Sequence, residues 1–227
     1  MKQKVFEYSD PQYDILESTA QRNLMHCGVG SGKSHCIGAL AFDFARHNPE
    51  VRGFIGANTY SQLTKSTLDK VFKVWEGDFG LVKGKHYVVD HIPPDNYKIF
   101  GPRLKSYENT ICFNNGCMIF TASLDNYKVI DGTEFGWAML DETKDTKEEA
   151  VKEVIVARLR QVGMFLDKRG VIWNENTLKE KVSSGAFSII TEHGGVEFYV
   201  DNTGKKLDGF NPLYIFRIYL YHGKISV

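Results

Sequence analysis

The chain has 227 residues, which is enough for one α/β domain with a sizeable core, so a single domain is the simplest expectation. Lysine and arginine number 28 together, as do aspartate and glutamate, so the formal net charge is zero. A neutral chain has no overall positive field to attract a polyanion, and any contact with nucleic acid must therefore be local.

The cysteines and the lack of long apolar runs indicate the compartment. Cys27, Cys36, Cys112 and Cys117 contain no Cys-x-x-Cys pair, which favours reduced thiols over disulfides or a zinc site. No run approaches the length of a transmembrane helix, and the polar start at residues 1–4 is unlike a signal peptide. We therefore expect a soluble, intracellular protein without membrane association.

Before the first strand, the chain reads Asp10-Pro11-Gln12-Tyr13. The side-chain amide of Gln12 offers one donor and one acceptor that suit the edge of an adenine ring. The alternative is that Gln12 is a surface residue in the first turn of a helix, with Asp10 as its N-cap and Pro11 at its first position.

A glycine-rich loop then joins an apolar run at residues 24–27 to a segment with helical spacing of apolar residues at 37–44. Glycines allow successive backbone N–H groups to converge on phosphate oxygens, and the following helix directs its positive end at the same anion. This order predicts a nucleotide-binding P-loop, in which Lys33 bridges the β- and γ-phosphates and Ser34 ligates Mg²⁺. The residues expected to bind the nucleotide are Gln12, Gly28, Gly30, Ser31, Gly32, Lys33 and Ser34.

The loop departs from the Walker A pattern G-x-x-x-x-G-K-[ST] in one respect. The first glycine of the pattern falls at Cys27, and Gly28 stands one place late. A glycine-rich turn that binds nothing is the alternative, and the flanking strand and helix patterns favour the nucleotide site.

The middle of the chain predicts a second β-α unit and a hairpin. A strand at 51–57 precedes a capping box formed by Thr59 and Gln62, which begins an amphipathic helix. Residues 77–108 read as loops with one short strand near residues 87–89. The strands at 111–114 and 117–120 flank Asn115-Gly116, which favours a tight hairpin turn.

An apolar strand at residues 136–140 leads directly into Asp141 and Glu142, the Walker B arrangement. Parallel sheets collect the carboxyl ends of their strands at one edge, so these carboxylates are expected beside the P-loop. Asp141 would hold the Mg²⁺ shell, and Glu142 would accept a proton from the water that attacks the γ-phosphate. The alternative is an Asp-Glu pair that caps a solvated loop.

The last third of the chain carries weaker signals. Thr146 and Glu149 suggest a capping box for a helix that runs to about residue 161. Residues 163–210 read as a small β-rich insertion, and residues 212–216 as a strand that returns to the core. The predicted ATPase domain thus spans residues 1–227, with its core at about 6–161 and 211–216, and residues 217–227 stay unassigned.

Together these features resemble the ATPase domain of the terminase large subunits of tailed bacteriophages, over about residues 6–161. The resemblance rests on Pro11-Gln12, the P-loop, residues 53–60, Asn115-Gly116, Gly132 and the strand that ends in Asp141-Glu142. It implies an α/β P-loop NTPase fold of the ASCE type, with a mostly parallel central sheet flanked by helices and a small β-rich insertion. It also implies ATP hydrolysis that drives viral double-stranded DNA into a procapsid.

The family's roles can be carried to matching residues only. Gln12 would contact adenine, Lys33 and Ser34 the phosphates and Mg²⁺, Asp141 the metal, and Glu142 would be the catalytic base. The implied partners are double-stranded viral DNA, the portal protein, the small terminase subunit and further copies of the chain in a ring on the portal. The implied location is the host cytoplasm, at the procapsid.

Two departures from the family qualify this prediction. Many terminases have an arginine in the P-loop where this chain has Val29, so Arg158 and Arg160 are candidates to stabilise charge on a neighbour's γ-phosphate. The alternative is that both arginines are solvated and merely favourable near a helix C-terminus. If the charge must come from a neighbour, the isolated chain should hydrolyse ATP slowly.

The second departure lies after residue 216, where neither the family's coupling motif nor its nuclease domain has room, so we expect no nuclease activity from this chain. Two other functions stay open. One is a nucleotide-binding packaging subunit with little hydrolysis of its own. The other is a helicase-like P-loop ATPase, although a helicase usually needs a second domain of this kind.

Overall fold

The computed structural model describes residues 7–18, 22–26, 28, 30–130, 132–159, 161, 164–166, 172–174, 183, 185, 187–192, 196–201 and 217–222. Seven of the described strands form one sheet: β1 (Arg22–His26), β2 (Gly53–Ala57), β3 (Tyr87–Val89), β4 (Thr110–Phe113), β5 (Met118–Ser123), β6 (Trp137–Asp141) and β11 (Arg217–His222). Two separate antiparallel pairs are β7 (Met164–Leu166) with β8 (Ile172–Asn174), and β9 (Phe187–Glu192) with β10 (Val196–Asp201).

Four helical segments pack with the sheet or precede it. Helix α1 is Asp10–Glu17 and helix α2 is Lys33–His47. Helix α3 covers residues 60–77 and is α-helical at Tyr60–Gln62, π-helical at Leu63–Leu68 and α-helical at Asp69–Gly77. Helix α4 covers residues 150–158 and is π-helical at Ala150–Ile155 and α-helical at Val156–Arg158. Short 3₁₀ turns lie at Tyr127–Ile130 and Thr143–Asp145.

The sheet has the strand order β1-β11-β6-β2-β5-β4-β3. The pairs from β1 to β5 are parallel, while β5 with β4 and β4 with β3 are antiparallel. The predicted α/β class is thus confirmed, and the sheet is mixed because the Asn115-Gly116 hairpin adds an antiparallel edge. Since β1 and β6 run parallel, the glycine-rich loop and the Asp141-Glu142 pair leave the sheet at the same edge.

Alternate residues of the central strands point to opposite faces and build two cores. Ile55 of β2 and Met139 of β6 lie in the larger core with apolar residues of α2 and α3. Phe54 and Leu140, the neighbouring residues in each strand, lie in the second core with residues of α4. Helices therefore cover both faces, which explains why these strands are apolar throughout.

The end of the chain differs from the sequence-based expectation. The strand that joins the sheet is Arg217–His222, a segment without an assignment from sequence, and it pairs with both β1 and β6. The segment predicted as the returning strand, residues 212–216, lies outside the described residues. The division of the chain into core and insertion stays a prediction.

The second predicted capping box is wrong. The Thr146 hydroxyl lies within hydrogen-bond distance of Asn58 Oδ1, at 3.3 Å, and the helix ends at Arg158. By contrast, the capping box of Thr59 and Gln62 is present, with a bond of 3.2 Å from Gln62 N to Thr59 Oγ1. A four-residue pattern thus located one helix start and misplaced the other, where Asn58 competes for the threonine.

The close packing of β2 against β6 gives a stability prediction. Gly53 pairs with Trp137, and a Cβ at residue 53 would collide with the fully buried Trp137 ring. We expect Gly53→Ala to lower the free energy of unfolding by about 1–3 kcal/mol, the usual effect of overpacking a core. Gly77→Ala is the matched control, because an added Cβ there meets no atom within 4 Å. Urea unfolding of both variants checks this, and equal stability of Gly53→Ala and wild type would contradict it.

Candidate nucleotide site

The glycine-rich loop turns tightly between β1 and α2. Gly30 and Gly32 have φ angles of 81° and 80°, a left-handed conformation that residues with a Cβ seldom adopt. The Ser31 hydroxyl donates to Gly28 O at 2.8 Å, and Lys33 Nζ donates to the same carbonyl at 2.9 Å. The loop therefore folds its polar groups around one centre. Cys27 and Val29 lie outside the described residues.

Helix α2 begins directly after this turn, with Gly32 as its N-cap. The first N–H groups of an α-helix have no partner within the helix and carry a partial positive charge. Lys33 and Ser34 occupy the first two helical positions and are buried, with 7% and 8% of their surfaces exposed. Backbone N–H groups, a lysine ammonium and a hydroxyl thus lie together, which is the chemistry that binds a phosphate.

The carboxylate of Asp141 is buried and accepts hydrogen bonds from three sides. Asp141 is 1% exposed. Its Oδ2 accepts from Ser34 Oγ at 3.1 Å and from Thr67 Oγ1 at 2.8 Å, and its Oδ1 accepts from Glu142 N at 3.1 Å. Each hydrogen bond to a charged group contributes about 1.5–3 kcal/mol, so these donors offset the cost of burying the carboxylate. The end of β6 is thereby joined to α2 and to α3.

Glu142 follows Asp141 in an unusual backbone conformation. Its φ is 51° and its ψ is 44°, in the left-handed region that non-glycine residues enter rarely. Such conformations persist only where surrounding contacts hold them, and they concentrate at functional sites. Glu142 is half-buried and lines the cleft beside the loop, so its carboxylate differs from that of Asp141 in being open to a ligand.

A cleft of about 330 Å³ lies in front of the loop and α2. Lys33, Ser34 and Glu142 line it from the loop side, and Lys70, Lys73 and Val74 of α3 line it from the other side. Lys73 Nζ is bonded to Asp69 Oδ2 at 2.6 Å. The cleft therefore combines three lysine ammonium groups with one carboxylate, which suits a polyanion such as a nucleoside triphosphate.

Gln12 lies against the loop but uses its amide locally. Its Oε1 accepts from Ser9 N at 2.9 Å in the capping box of α1, so Ser9 and not Asp10 is the N-cap. Its Nε2 donates to Gly32 O at 3.5 Å, and a Cβ at residue 32 would collide with this amide. Gln12 thus packs against the glycine that begins α2, and the contact with adenine stays a prediction.

The two candidate arginines lie apart from this cluster in the described part of the chain. Arg158 ends α4, which packs on the opposite face of the sheet from α2, and its carbonyl accepts from Phe135 N at 2.8 Å. It does not line the cleft. Arg160 lies outside the described residues. Any action of either arginine on the site of a neighbouring subunit stays a prediction.

Sequence reasoning missed the contribution of α3. Thr67, Lys70 and Lys73 looked like ordinary residues of an amphipathic helix, and the lysines were interpreted as its solvated face. The available signal was their spacing of three residues, which places them on one side of a helix. That spacing alone does not reveal that the side faces Asp141.

Two searches of the described residues limit the possibilities further. They contain no group of three or more histidine, cysteine, aspartate or glutamate side chains that could hold a metal ion. They also contain no helix that is long and apolar enough to cross a membrane.

Comparisons with known proteins reach solved structures only, since no family model and no curated protein matches the chain. The chain is similar to an arginine-to-alanine variant of the large terminase ATPase domain of Thermus phage P74-26, with 21% identity, a TM-score of 0.46, and coverage of 68% of this chain and 61% of that one. It is also similar to the large terminase of another phage, a thermophilic bacteriophage, with 13% identity, a TM-score of 0.49, and coverage of 95% and 38%. The same large terminase in complex with ADP gives 14% identity, a TM-score of 0.46, and coverage of 95% and 39%.

The chain therefore spans less than two thirds of the length of these three structures. At such identities and TM-scores the likeness carries no argument by itself. The chemistry of the site has to carry any statement about function.

The position of Lys33 gives a prediction for binding. Lys33→Ala should weaken the affinity for ATP by about 10- to 150-fold, because a charge-assisted hydrogen bond contributes about 1.5–3 kcal/mol. Titration with a fluorescent ATP analogue measures the change. Lys65→Ala is the matched control, since Lys65 is exposed on α3 and does not line the cleft. Equal affinities of the two variants would contradict the assignment of the loop.

Proposed function

We propose that the chain is a Mg²⁺-dependent ATPase with a P-loop fold of the ASCE type, and that it serves as the motor subunit that drives viral double-stranded DNA into a procapsid. The observation that carries the ATPase proposal is the buried contact of 3.1 Å between Ser34 Oγ and Asp141 Oδ2. It joins the start of the helix after a glycine-rich loop to the end of a parallel strand, where hydrolytic nucleotide sites hold their metal.

Phosphate binding follows from the loop and α2. In a complex with ATP, the Lys33 ammonium exchanges its bond to Gly28 O for oxygens of the β- and γ-phosphates, which are stronger acceptors because they are charged. Gly30, Ser31 and Gly32 supply backbone N–H groups, and their geometry leaves no Cβ in the way at the two glycines. Gln12, which packs against Gly32, is the candidate for the adenine edge.

The residues present fit a magnesium ion. Mg²⁺ prefers hard oxygen ligands and is usually held by one or two protein groups together with substrate phosphates and water. Ser34 Oγ and the Asp141 carboxylate offer this set in one buried cluster. When bound with ATP, the ion would neutralise charge on the β- and γ-phosphate oxygens.

Glu142 is the candidate general base. Its side chain lines the cleft while Asp141 is enclosed by donors, so the two adjacent carboxylates are suited to different tasks. A water oxygen attacks the γ-phosphorus, its proton passes to the Glu142 carboxylate, and the bond to the bridging β–γ oxygen breaks. ADP and inorganic phosphate leave, and Glu142 returns the proton to solvent.

The motor role rests on the motifs that resemble terminase large subunits. On this proposal the chain acts as a ring of copies at the portal protein, with the small terminase subunit and double-stranded viral DNA as partners. The site of action is the host cytoplasm, at the procapsid. Lysines of α3 give the cleft its positive charge, but the chain as a whole is neutral, so the DNA contact must be a local surface.

A second candidate is a packaging subunit that binds nucleotide and hydrolyses little of it. It is favoured by Val29, which stands where many terminases have a loop arginine. An arginine contact can contribute about 10³- to 10⁵-fold in rate, so its absence leaves a slow enzyme until another group supplies the charge. Arg158 or Arg160 of a neighbouring subunit would supply it after assembly.

The separate tasks of Asp141 and Glu142 give a test of hydrolysis. Glu142→Gln should keep Mg·ATP binding and lose about 10²- to 10⁴-fold in hydrolysis, because the base is removed and the metal ligands remain. Single-turnover hydrolysis of radiolabelled ATP detects even slow reaction. Glu149→Gln is the control, since Glu149 is exposed and does not line the cleft. Hydrolysis by Glu142→Gln at the wild-type rate would show that another group is the base.

A further inference from the structure

The hydroxyl of Thr67 is the group at Asp141 that phosphate-loop chemistry does not require. Thr67 is 0% exposed, and its Oγ1 donates to Asp141 Oδ2 at 2.8 Å. It lies on the π-helical segment Leu63–Leu68 of α3. Single π-helical turns within α-helices occur frequently at functional sites.

Thr67 and Ser34 share one oxygen of the carboxylate. Ser34 also donates to Asp141 Oδ2, while Oδ1 accepts from Glu142 N. The backbone donor and the two hydroxyls together fix the rotation of the carboxylate about its Cβ–Cγ bond. Of these donors, Ser34 is expected to become a metal ligand, so Thr67 is the side chain left to hold Asp141 in place.

We propose that Thr67 is a positioning residue for Mg²⁺, which acts by holding the Asp141 carboxylate in the orientation that the ion needs. The proposal rests on the proposed function, because it concerns the metal of the same nucleotide site. Partners that orient a metal ligand through a hydrogen bond contribute about 10- to 100-fold to metal affinity or activity. Thr67 is thus expected to determine how much Mg²⁺ the site requires.

A purely structural role for Thr67 makes a different prediction. A buried hydroxyl that only satisfies its own hydrogen bond affects the stability of the fold and leaves the dependence on Mg²⁺ unchanged. The two roles separate in a titration of Mg²⁺ at fixed nucleotide concentration, with fluorescent ATP as the probe.

Thr67→Val removes the hydroxyl and keeps a branched side chain, and Thr67→Ser keeps the hydroxyl and removes the methyl group. We expect Thr67→Val to raise the half-saturating Mg²⁺ concentration by about 10- to 100-fold, with unchanged affinity for the nucleotide in the absence of metal. Thr67→Ser should remain close to wild type. Thr67→Ala provides a second variant without the hydroxyl, so that the result does not depend on how one replacement packs.

Thr121→Val is the matched control. Thr121 is also a buried threonine, but its hydroxyl donates to Asn109 O at 3.2 Å and has no contact with Asp141. A wild-type Mg²⁺ dependence in folded Thr67→Val or Thr67→Ala would overturn the proposal, as would an equal shift in Thr67→Ser. Failure of the wild-type chain itself to bind ATP would instead overturn the proposed function, and the role of Thr67 with it.

Discussion

The burial of the Asp141 carboxylate is the constraint on which the site depends. A charged group that is 1% exposed is stable only if donors surround it, and here the donors come from three different elements. Ser34 belongs to α2, Thr67 to α3, and Glu142 N to the turn after β6. One carboxylate therefore fixes the spacing between the glycine-rich loop, the end of the central strand and the helix on the far side of the cleft.

The sheet makes this convergence possible. Strands β1, β11 and β6 run parallel, so the loop after β1 and the carboxylates after β6 emerge at the same edge. Helices α2 and α3 pack on the same face, where Trp75 Nε1 donates to Gly38 O at 2.8 Å and locks them together. A rigid pair of helices can then hold two hydroxyls on one carboxylate oxygen, and the cleft between them carries Lys33, Lys70 and Glu142.

The sequence predicted the parts of the site that local geometry dictates. Gly30, Gly32 and Lys33 are recognisable because a phosphate loop needs left-handed turns followed at once by a helix, and Asp141 because it ends an apolar strand. Thr67 was not predictable, since its contact with Asp141 joins residues 74 positions apart through the packing of α3. Strand β11 was missed for a similar reason. A short apolar run does not reveal that its partners are β1 and β6, far away in the sequence.

The most direct test is a crystal structure of the chain with a non-hydrolysable ATP analogue and Mg²⁺. The account predicts the phosphates at the N-terminus of α2, and the ion about 2.0–2.1 Å from Ser34 Oγ, with the Asp141 carboxylate beside it and still bonded to Thr67. Mn²⁺ in place of Mg²⁺ would locate the ion by its anomalous signal. A nucleotide bound away from the loop, or an ion bound away from Ser34 and Asp141, would contradict the account.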